Sequence, residues 1–305
     1  MTADITPLLS RKWAMSKGDA AAFVTASYAP DFERCKLLCE TMDRFVTGFT
    51  RHYILVEHRD VSLFRKLESG RRQVIDEKDL LPSWLRSFPD PTSLFKRRIW
   101  LSTRTQPLRG WHVQQLRRMA IAFHIPEKTL VYCDSDVVFL KDFDCGSLRR
   151  GEGLRLFRRD NALEQPIEYN HRLWSRNAAL AFGLPVEPPS LHDYITTLIA
   201  WDAGTVREMC ALVERRHGRH WMEVIASTRQ FSECMLYGRY VDDVLSGAGH
   251  FHDRTELCRV YWFGPAPSDA LFHDFVAEMG SEQVAIGMQS FIGTDVARIR
   301  KLIAA

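Results

Sequence analysis

A strand-like apolar run that stops at two closely spaced carboxylates constrains the fold of this chain more than any other feature. Residues 130–133 are apolar, Asp134 and Asp136 follow one residue apart, and residues 137–140 form a second apolar run. Short continuous apolar runs are typical of strands covered on both faces, as in parallel sheets. Open α/β sheets bind ligands beyond the carboxyl ends of their strands, which is where these acids are expected.

The spacing of the two acids indicates a metal site. Two carboxylates two positions apart across a turn can reach one hard divalent cation and leave coordination positions for a phosphate. Oxygen ligands predict Mg²⁺ or Mn²⁺ and not zinc. The alternative is an acidic turn that only caps the next element, because isolated Asp-x-Asp patterns are common. The apolar runs on both sides of Asp134 and Asp136 favour the metal site.

The preceding residues predict alternating strands and helices. An apolar run at residues 20–26 ends in a turn, and Asp31 is a good N-cap for a helix with one apolar face. Residues 53–57 and 73–75 have the pattern of further strands, and residues 111–124 that of a helix leading into the acidic motif. Such alternation implies a parallel sheet with right-handed crossovers, so the predicted fold class is α/β.

The remaining segments are less regular. Residues 82–110, rich in Pro and Arg, are expected to be irregular or to form short elements. Asp202 is the predicted N-cap of a helix at residues 206–215. The second half further predicts strands or β-rich runs at residues 154–157, 194–200 and 260–263, helices at residues 172–182 and 231–241, and a His-rich loop at residues 250–252.

Composition is that of an ordinary globular protein, and 305 residues suffice for one large domain or two closely packed halves. A net charge of +3 gives no reason to expect a nucleic-acid partner. The seven scattered cysteines include no CxxC pair and are interpreted as buried, reduced thiols of a cytoplasmic protein. No signal peptide or membrane span is predicted. Arginine pairs such as Arg97 and Arg98 could touch anionic lipid of the inner membrane, although a solvated surface explains them more simply.

The motif Asp134-Ser135-Asp136 after a nucleotide-binding type of sheet resembles the glycosyltransferases of GT-A fold over residues 20–145. Residues 110–116 and 233–238 are also similar to segments of little-characterised bacterial members of that group. The resemblance implies a Rossmann-type, mostly parallel sheet flanked by helices. After a polar leader at residues 1–18, it further implies a nucleotide-sugar-binding half at residues 19–150 and an acceptor-binding half at residues 151–305.

The GT-A resemblance implies transfer of a sugar from a nucleotide-sugar donor, with a UDP-sugar favoured. The acceptor would be a glycan or a lipid-linked saccharide of a bacterial envelope. Asp136 would bind Mn²⁺ or Mg²⁺ most directly, and Asp134 would complete the metal shell or contact the ribose. His252 is the candidate for a further metal ligand.

The resemblance also suggests residues for the donor and for proton transfer. The expected donor-binding residues are Thr25, Ser27, Asp60, Gln115, Arg118 and Asp134. An inverting enzyme needs a general base for the acceptor hydroxyl, and Glu233 is the candidate. An enzyme that retains configuration would not need this base.

Two other classes of function stay open. Residues 134–138 also fit the Asp-x-Asp-x-Val signature of HAD-like phosphatases, with Asp134 as nucleophile, Asp136 as general acid and Asp242 with Asp243 as downstream acids. A nucleotide-type unit before the motif and the absence of a Gly-Thr turn after it count against this class. A non-catalytic GT-A-like scaffold is the third class, and its function would not require both carboxylates.

Overall fold

A computed structural model describes residues 21–164 and 169–303 of the chain, and the predicted leader at residues 1–18 lies outside the described residues. Strands and helices alternate through the first half of the described chain, as the sequence predicts. The strands are β1 (Ala21–Ala26), β2 (Val46–Thr47), β3 (Phe49–Val56), β4 (Arg72–Asp76), β5 (Arg86–Pro89), β6 (Arg98–Leu101), β7 (Leu108–Arg109), β8 (Thr129–Tyr132), β9 (Val137–Phe139), β10 (Phe143–Asp144), β11 (Arg149–Arg150), β12 (Gly153–Phe157), β13 (Ile199–Asp202), β14 (His250–Asp253), β15 (Cys258–Tyr261) and β16 (Ala285–Met288). The helices are α1 (Phe32–Phe45), α2 (Val61–Phe64), α3 (Glu77–Leu80), α4 (Gly110–Ala120), α5 (Tyr169–Phe182), α6 (Ala203–His217), α7 (Trp221–Ile225), α8 (Glu233–Arg239), α9 (Asp269–Ala277) and α10 (Val296–Ile303).

The central sheet has five strands in the order β13-β8-β1-β3-β4. Strands β8, β1, β3 and β4 run parallel, and β13 pairs with β8 in the antiparallel sense. The predicted α/β fold with a mostly parallel sheet flanked by helices is therefore confirmed. The parallel arrangement brings the carboxyl ends of four strands to one edge of the sheet, where ligands of such folds bind.

Burial on both faces explains the continuous apolar runs of the central strands. In β1, Ala22 and Val24 pack into one hydrophobic core with helices α4, α6 and α8, whereas Phe23 packs into a second core with α1 and β9. In β8, Tyr132 and Val131 divide between the same two cores. Side chains of successive strand residues point to opposite faces, so both faces must be apolar.

Residues 82–110, expected to be irregular or to form short elements, contain the short strands of the antiparallel sheet β5-β6-β7. Two other segments differ from the prediction. The β-rich run at residues 194–200 contributes a strand only from Ile199, because Leu198 has a left-handed φ of 66° that interrupts the extended chain. The predicted His-rich loop is strand β14, which pairs in parallel with β12.

The helix caps are partly as predicted. The Asp202 Oδ1 accepts a hydrogen bond of 2.8 Å from the Thr205 backbone N–H, as expected of an N-cap, although α6 begins three residues earlier than predicted. Asp31 precedes α1, but its carboxylate makes no capping bond to that helix. The predicted strand at residues 260–263 is displaced by two residues, to β15.

All seven cysteines are buried, as the apolar pattern around them predicts. Within residues 21–164 and 169–303, no helix is long and apolar enough to cross a membrane.

Candidate functional site

The candidate site lies along the edge of the central sheet where the parallel strands end. Ser27 follows β1, Glu57 follows β3, Glu77 follows β4, and Asp134 comes two residues after β8. Each of the first three side chains is buried, and Asp134 is partly exposed. Polar groups at one edge of an open α/β sheet are where the fold places its ligands.

Four of the predicted site residues come together at the β8 end of this edge. Arg118 Nη1 lies 3.0 Å from Glu233 Oε1 and 3.5 Å from Asp134 Oδ1. The Gln115 side-chain oxygen accepts a hydrogen bond of 3.0 Å from the Glu233 backbone N–H. Helix α4 and helix α8 therefore present their polar side chains to the same point beyond β8.

Arg118 is held by aromatic rings as well as by the two acids. Its guanidinium lies 4.9 Å from the centre of the Tyr132 ring and 5.9 Å from that of Trp201, within the range of cation–π attraction. Burial alone would lower the pKa of Arg118, but Glu233 and Asp134 outweigh it and raise that pKa. Arg118 therefore stays cationic, and burial raises the pKa of Glu233 despite the opposing effect of Arg118.

Asp136 sits in a different environment from Asp134. Its Oδ2 accepts a hydrogen bond of 3.0 Å from the Ser290 backbone N–H, and its backbone carbonyl accepts one from Met288. Burial, followed by repulsion from Asp134 and Asp31, raises the pKa of Asp136 to about 7. A carboxylate that is held by one backbone donor and repelled by two other acids would be stabilised by a nearby cation.

The two acids fit a magnesium or manganese ion as a partial ligand set. Mg²⁺ is commonly bound by one or two carboxylates, with substrate phosphates and water completing its octahedral shell. Asp134 and Asp136 supply such oxygens, and the Thr197 hydroxyl lies 3.4 Å from Asp134 Oδ2. Among the described residues no group of three or more His, Cys, Asp or Glu side chains could hold a metal ion, so the remaining ligands would come from the donor and from solvent.

His252 is not brought to this pair. Its Nε2 lies 2.7 Å from Asp242 Oδ1 and 3.1 Å from Arg158 Nη1. Asp242 also accepts a hydrogen bond of 2.7 Å from the Tyr194 hydroxyl. The ligand role expected for His252 therefore finds no support in its position, because β14 directs the imidazole into a separate ionic network.

The other predicted donor contacts lie near the ends of β1 and β3. The Thr25 hydroxyl is fully buried, 3.0 Å from His52 Nε2, so it belongs to the core and not to the open edge. Ser27 is 4% exposed, and its hydroxyl has no hydrogen-bond partner among the described residues. Asp60 Oδ2 accepts a hydrogen bond of 2.8 Å from the Ala29 backbone N–H, which ties the loop after β1 to the end of β3.

A cavity of about 680 Å³ opens at the β3 and β4 end of the same edge. Glu57, Glu77 and Trp100 are among its lining residues. Arg117, which neighbours Arg118 on α4, lies 3.6 Å from Glu77 Oε2 and is almost fully buried. The sequence does not predict this cavity, although Glu57 ends one predicted strand and Glu77 comes two residues after another.

Comparison with known proteins identifies the family but not the activity. Residues 21–277 match the sequence profile of a family of unknown function, DUF6492. No curated protein matches the sequence at a significant level. Because the match spans most of its length, the chain belongs to the DUF6492 family, whose function is unknown.

Proposed function

We propose that this protein is a metal-dependent glycosyltransferase that transfers a sugar from a nucleotide-sugar donor. One observation carries the proposal: Asp134 and Asp136 lie with Arg118 and Glu233 at the carboxyl edge of a mostly parallel sheet. The resemblance to the GT-A glycosyltransferases supports the same reaction. Cations, acids and a cavity at one sheet edge are the parts that binding and cleaving a nucleotide sugar requires.

The proposed donor lies along the sheet edge. Its nucleoside occupies the cavity beside Glu57 and Glu77, whose carboxylates can accept hydrogen bonds from ribose or base. Its diphosphate extends toward Asp134 and Asp136, where Arg118 offers a planar guanidinium suited to phosphate oxygens. A UDP-sugar is the favoured donor on the strength of the GT-A resemblance.

Mn²⁺ or Mg²⁺, held by Asp134 and Asp136 and by the donor, would stabilise the negative charge that develops on the departing nucleoside diphosphate. Arg118 adds a fixed positive charge that the chain itself supplies. Its pairing with Glu233 and Asp134 keeps this guanidinium in place before the donor arrives. Such preorganised charge lowers the barrier because it needs little reorganisation during the reaction.

Glu233 is the proposed general base for the acceptor hydroxyl. Burial raises the pKa of its carboxyl, which strengthens it as a base at neutral pH. Diphosphate oxygens would compete with Glu233 for Arg118, so donor binding would release the carboxylate for proton transfer. The proposed acceptor is a glycan or a lipid-linked saccharide bound by the second half of the chain.

The experiment is a screen of nucleotide sugars for metal-dependent release of nucleoside diphosphate, with wild type, Asp136→Asn and the exposed-acid control Asp142→Asn. We expect turnover with one donor, a loss of about a thousandfold in Asp136→Asn, and no change in the control. Phosphate release from phosphomonoesters would instead support the phosphatase. Absence of both activities, with nucleotide binding retained, would support the scaffold.

A further inference from the structure

The segment that contains the sheet β5-β6-β7 has a larger net positive charge than the whole chain. Residues 82–109 contain six Lys or Arg residues and one acid, Asp90, a net charge of +5. Since the whole chain carries +3, all its other residues together carry −2. A local charge of this size, on a chain that is otherwise slightly acidic, favours an anionic partner.

The tip of the β5–β6 hairpin exposes large apolar side chains beside these cations. Leu94 is 78% exposed and Phe95 is 66% exposed, and Lys96 and Arg97 follow them directly and are exposed as well. Leu94 and Phe95 have left-handed φ angles of 52° and 62°, a conformation that Gly or Asn would adopt with less strain. The turn itself therefore does not require these two apolar residues.

The outer face of the β5-β6-β7 sheet also combines exposed apolar side chains with arginines. Phe88 pairs with Ile99, Arg86 with Leu101, and Ile99 with Arg109, so these five side chains share one face. Phe88 is 44% exposed and Leu101 is 38% exposed, whereas Trp100 and Leu108 on the opposite face are buried in the core.

Asp90, the single acid of residues 82–109, is buried and adds little negative charge to the surface of the sheet. Asp90 is 2% exposed, and its Oδ1 accepts hydrogen bonds from the backbone N–H and the hydroxyl of Thr92. The Asp90 backbone carbonyl accepts a further bond of 3.0 Å from the Phe95 N–H. These bonds fix the turn, so the apolar side chains are held outward before any partner binds.

We infer that this surface, formed by the hairpin tip and the outer face, docks on an anionic lipid bilayer. Leu94 and Phe95 enter the boundary between headgroups and acyl chains, and Lys96, Arg97 and the outer-face arginines bind the phosphates. A second copy of the chain is a poorer occupant, because a symmetric contact would place +5 against +5. Nucleic acid would satisfy the cations but would leave Leu94 without an apolar environment. Two side chains of the outer face also line the cavity assigned to the nucleoside, so the surface borders that site, but the inference does not depend on the proposed transfer reaction.

The test is co-sedimentation of the full chain with vesicles of phosphatidylcholine, alone or with phosphatidylglycerol. Two hairpin variants remove one component each: Leu94→Ser with Phe95→Ser, and Lys96→Glu with Arg97→Glu. The control for the apolar variant removes two exposed apolar side chains elsewhere, Phe263→Ser with Phe291→Ser. The control for the charge variant reverses two adjacent exposed cations elsewhere, Arg65→Glu with Lys66→Glu.

We expect the wild type to bind only the vesicles that contain phosphatidylglycerol. Binding should weaken as the salt concentration rises, because salt screens the attraction between the anionic headgroups and the basic side chains. Each hairpin variant should lower the partition coefficient by about tenfold or more, and each control by less than about twofold. Absence of wild-type binding to anionic vesicles would overturn the inference, as would binding that survives in both hairpin variants. Binding of an oligonucleotide through the hairpin, without vesicle binding, would also overturn it.

Discussion

Two adjacent arginines on α4, the buried Arg117 and the largely buried Arg118, both face carboxylates, but their pKa values shift in opposite directions. Arg118 lies between Asp134 and Glu233, and these acids raise its pKa above the ordinary value. Arg117 faces Glu77 at a longer distance, and burial lowers its pKa. Among the described residues, Nε and Nη1 of Arg117 have no hydrogen-bond partner, whereas in Arg118 only Nε lacks one.

The difference between the two pKa shifts distinguishes the β8 end of the sheet edge from its β4 end. At the β8 end the chain compensates Arg118 by itself, so the guanidinium is preorganised for chemistry. At the β4 end, Arg117 Nη1 and Glu77 Oε2 lie 3.6 Å apart without a hydrogen bond, beside a cavity of about 680 Å³. Buried polar groups without hydrogen bonds are costly, so this is the end that gains most from a polar ligand such as a nucleoside.

The largest expected effect is on stability. Arg118→Met would leave two acids without their shared cation and should lower the free energy of unfolding by about 3–5 kcal/mol. Arg117→Met should cost clearly less, about 1–2 kcal/mol, because its ion pair is already weak. Urea unfolding at pH 7.5 measures both. An equal loss in the free energy of unfolding in both variants would contradict the proposed difference between the two arginines.

A second prediction concerns the one acid at the β8 end that Arg118 does not compensate. The pKa of Asp136, about 7, exceeds the value of about 4 expected in the unfolded chain, so the folded state holds the proton more tightly. Stability is therefore lost as pH rises from about 4 to about 7. Asp136→Asn should stabilise the fold by roughly 2 kcal/mol at pH 8, after allowance for solvent screening, and very little at pH 4.

Unfolding curves of Asp136→Asn at pH 4 and pH 8, with Asp142→Asn as the exposed control, test this prediction. An equal gain at both pH values would show that Asn packs better for reasons unrelated to charge. Added Mn²⁺ should reverse the order at pH 8, since only the wild type keeps both carboxylates for the ion.

The smallest predicted effect tests the β4 end. Ser87 lines the cavity, and Ser87→Trp would fill part of it without touching the acids of the β8 end. We expect nucleoside diphosphate affinity to fall by about tenfold, or about 1.4 kcal/mol, with little change in melting temperature. Ser102→Trp, in the loop directly after β6 and outside the cavity lining, is the matched control. Equal affinity in both variants would place the nucleoside elsewhere.

The sequence was sufficient to predict the central strands, because apolar runs mark strands buried on both faces. The residues around Arg118 needed more than local pattern. Helix α4 precedes β8, but the resemblance to the GT-A glycosyltransferases suggested Gln115, Arg118 and Glu233 as site residues. Their positions near Asp134 also agree with the rule that ligands bind beyond the carboxyl ends of strands.

The long-range features could not be predicted in the same way. His252 has glycines nearby and was expected in a loop, but its strand forms by pairing with β12, about a hundred residues earlier in the chain. Thr25 follows the strand alternation into the core, where it meets His52. The cavity of about 680 Å³ depends on how the β5-β6-β7 sheet packs against the carboxyl edge of the central sheet, and no local sequence pattern predicts that packing.

The most direct test of the account is calorimetric titration of nucleoside diphosphates into the protein with and without Mn²⁺, using wild type and Asp136→Ala. The account predicts that one nucleotide binds the wild type only when metal is present, and that the variant loses this binding. Binding that is unchanged in Asp136→Ala, or no binding to the wild type with metal present, would contradict the proposed donor site.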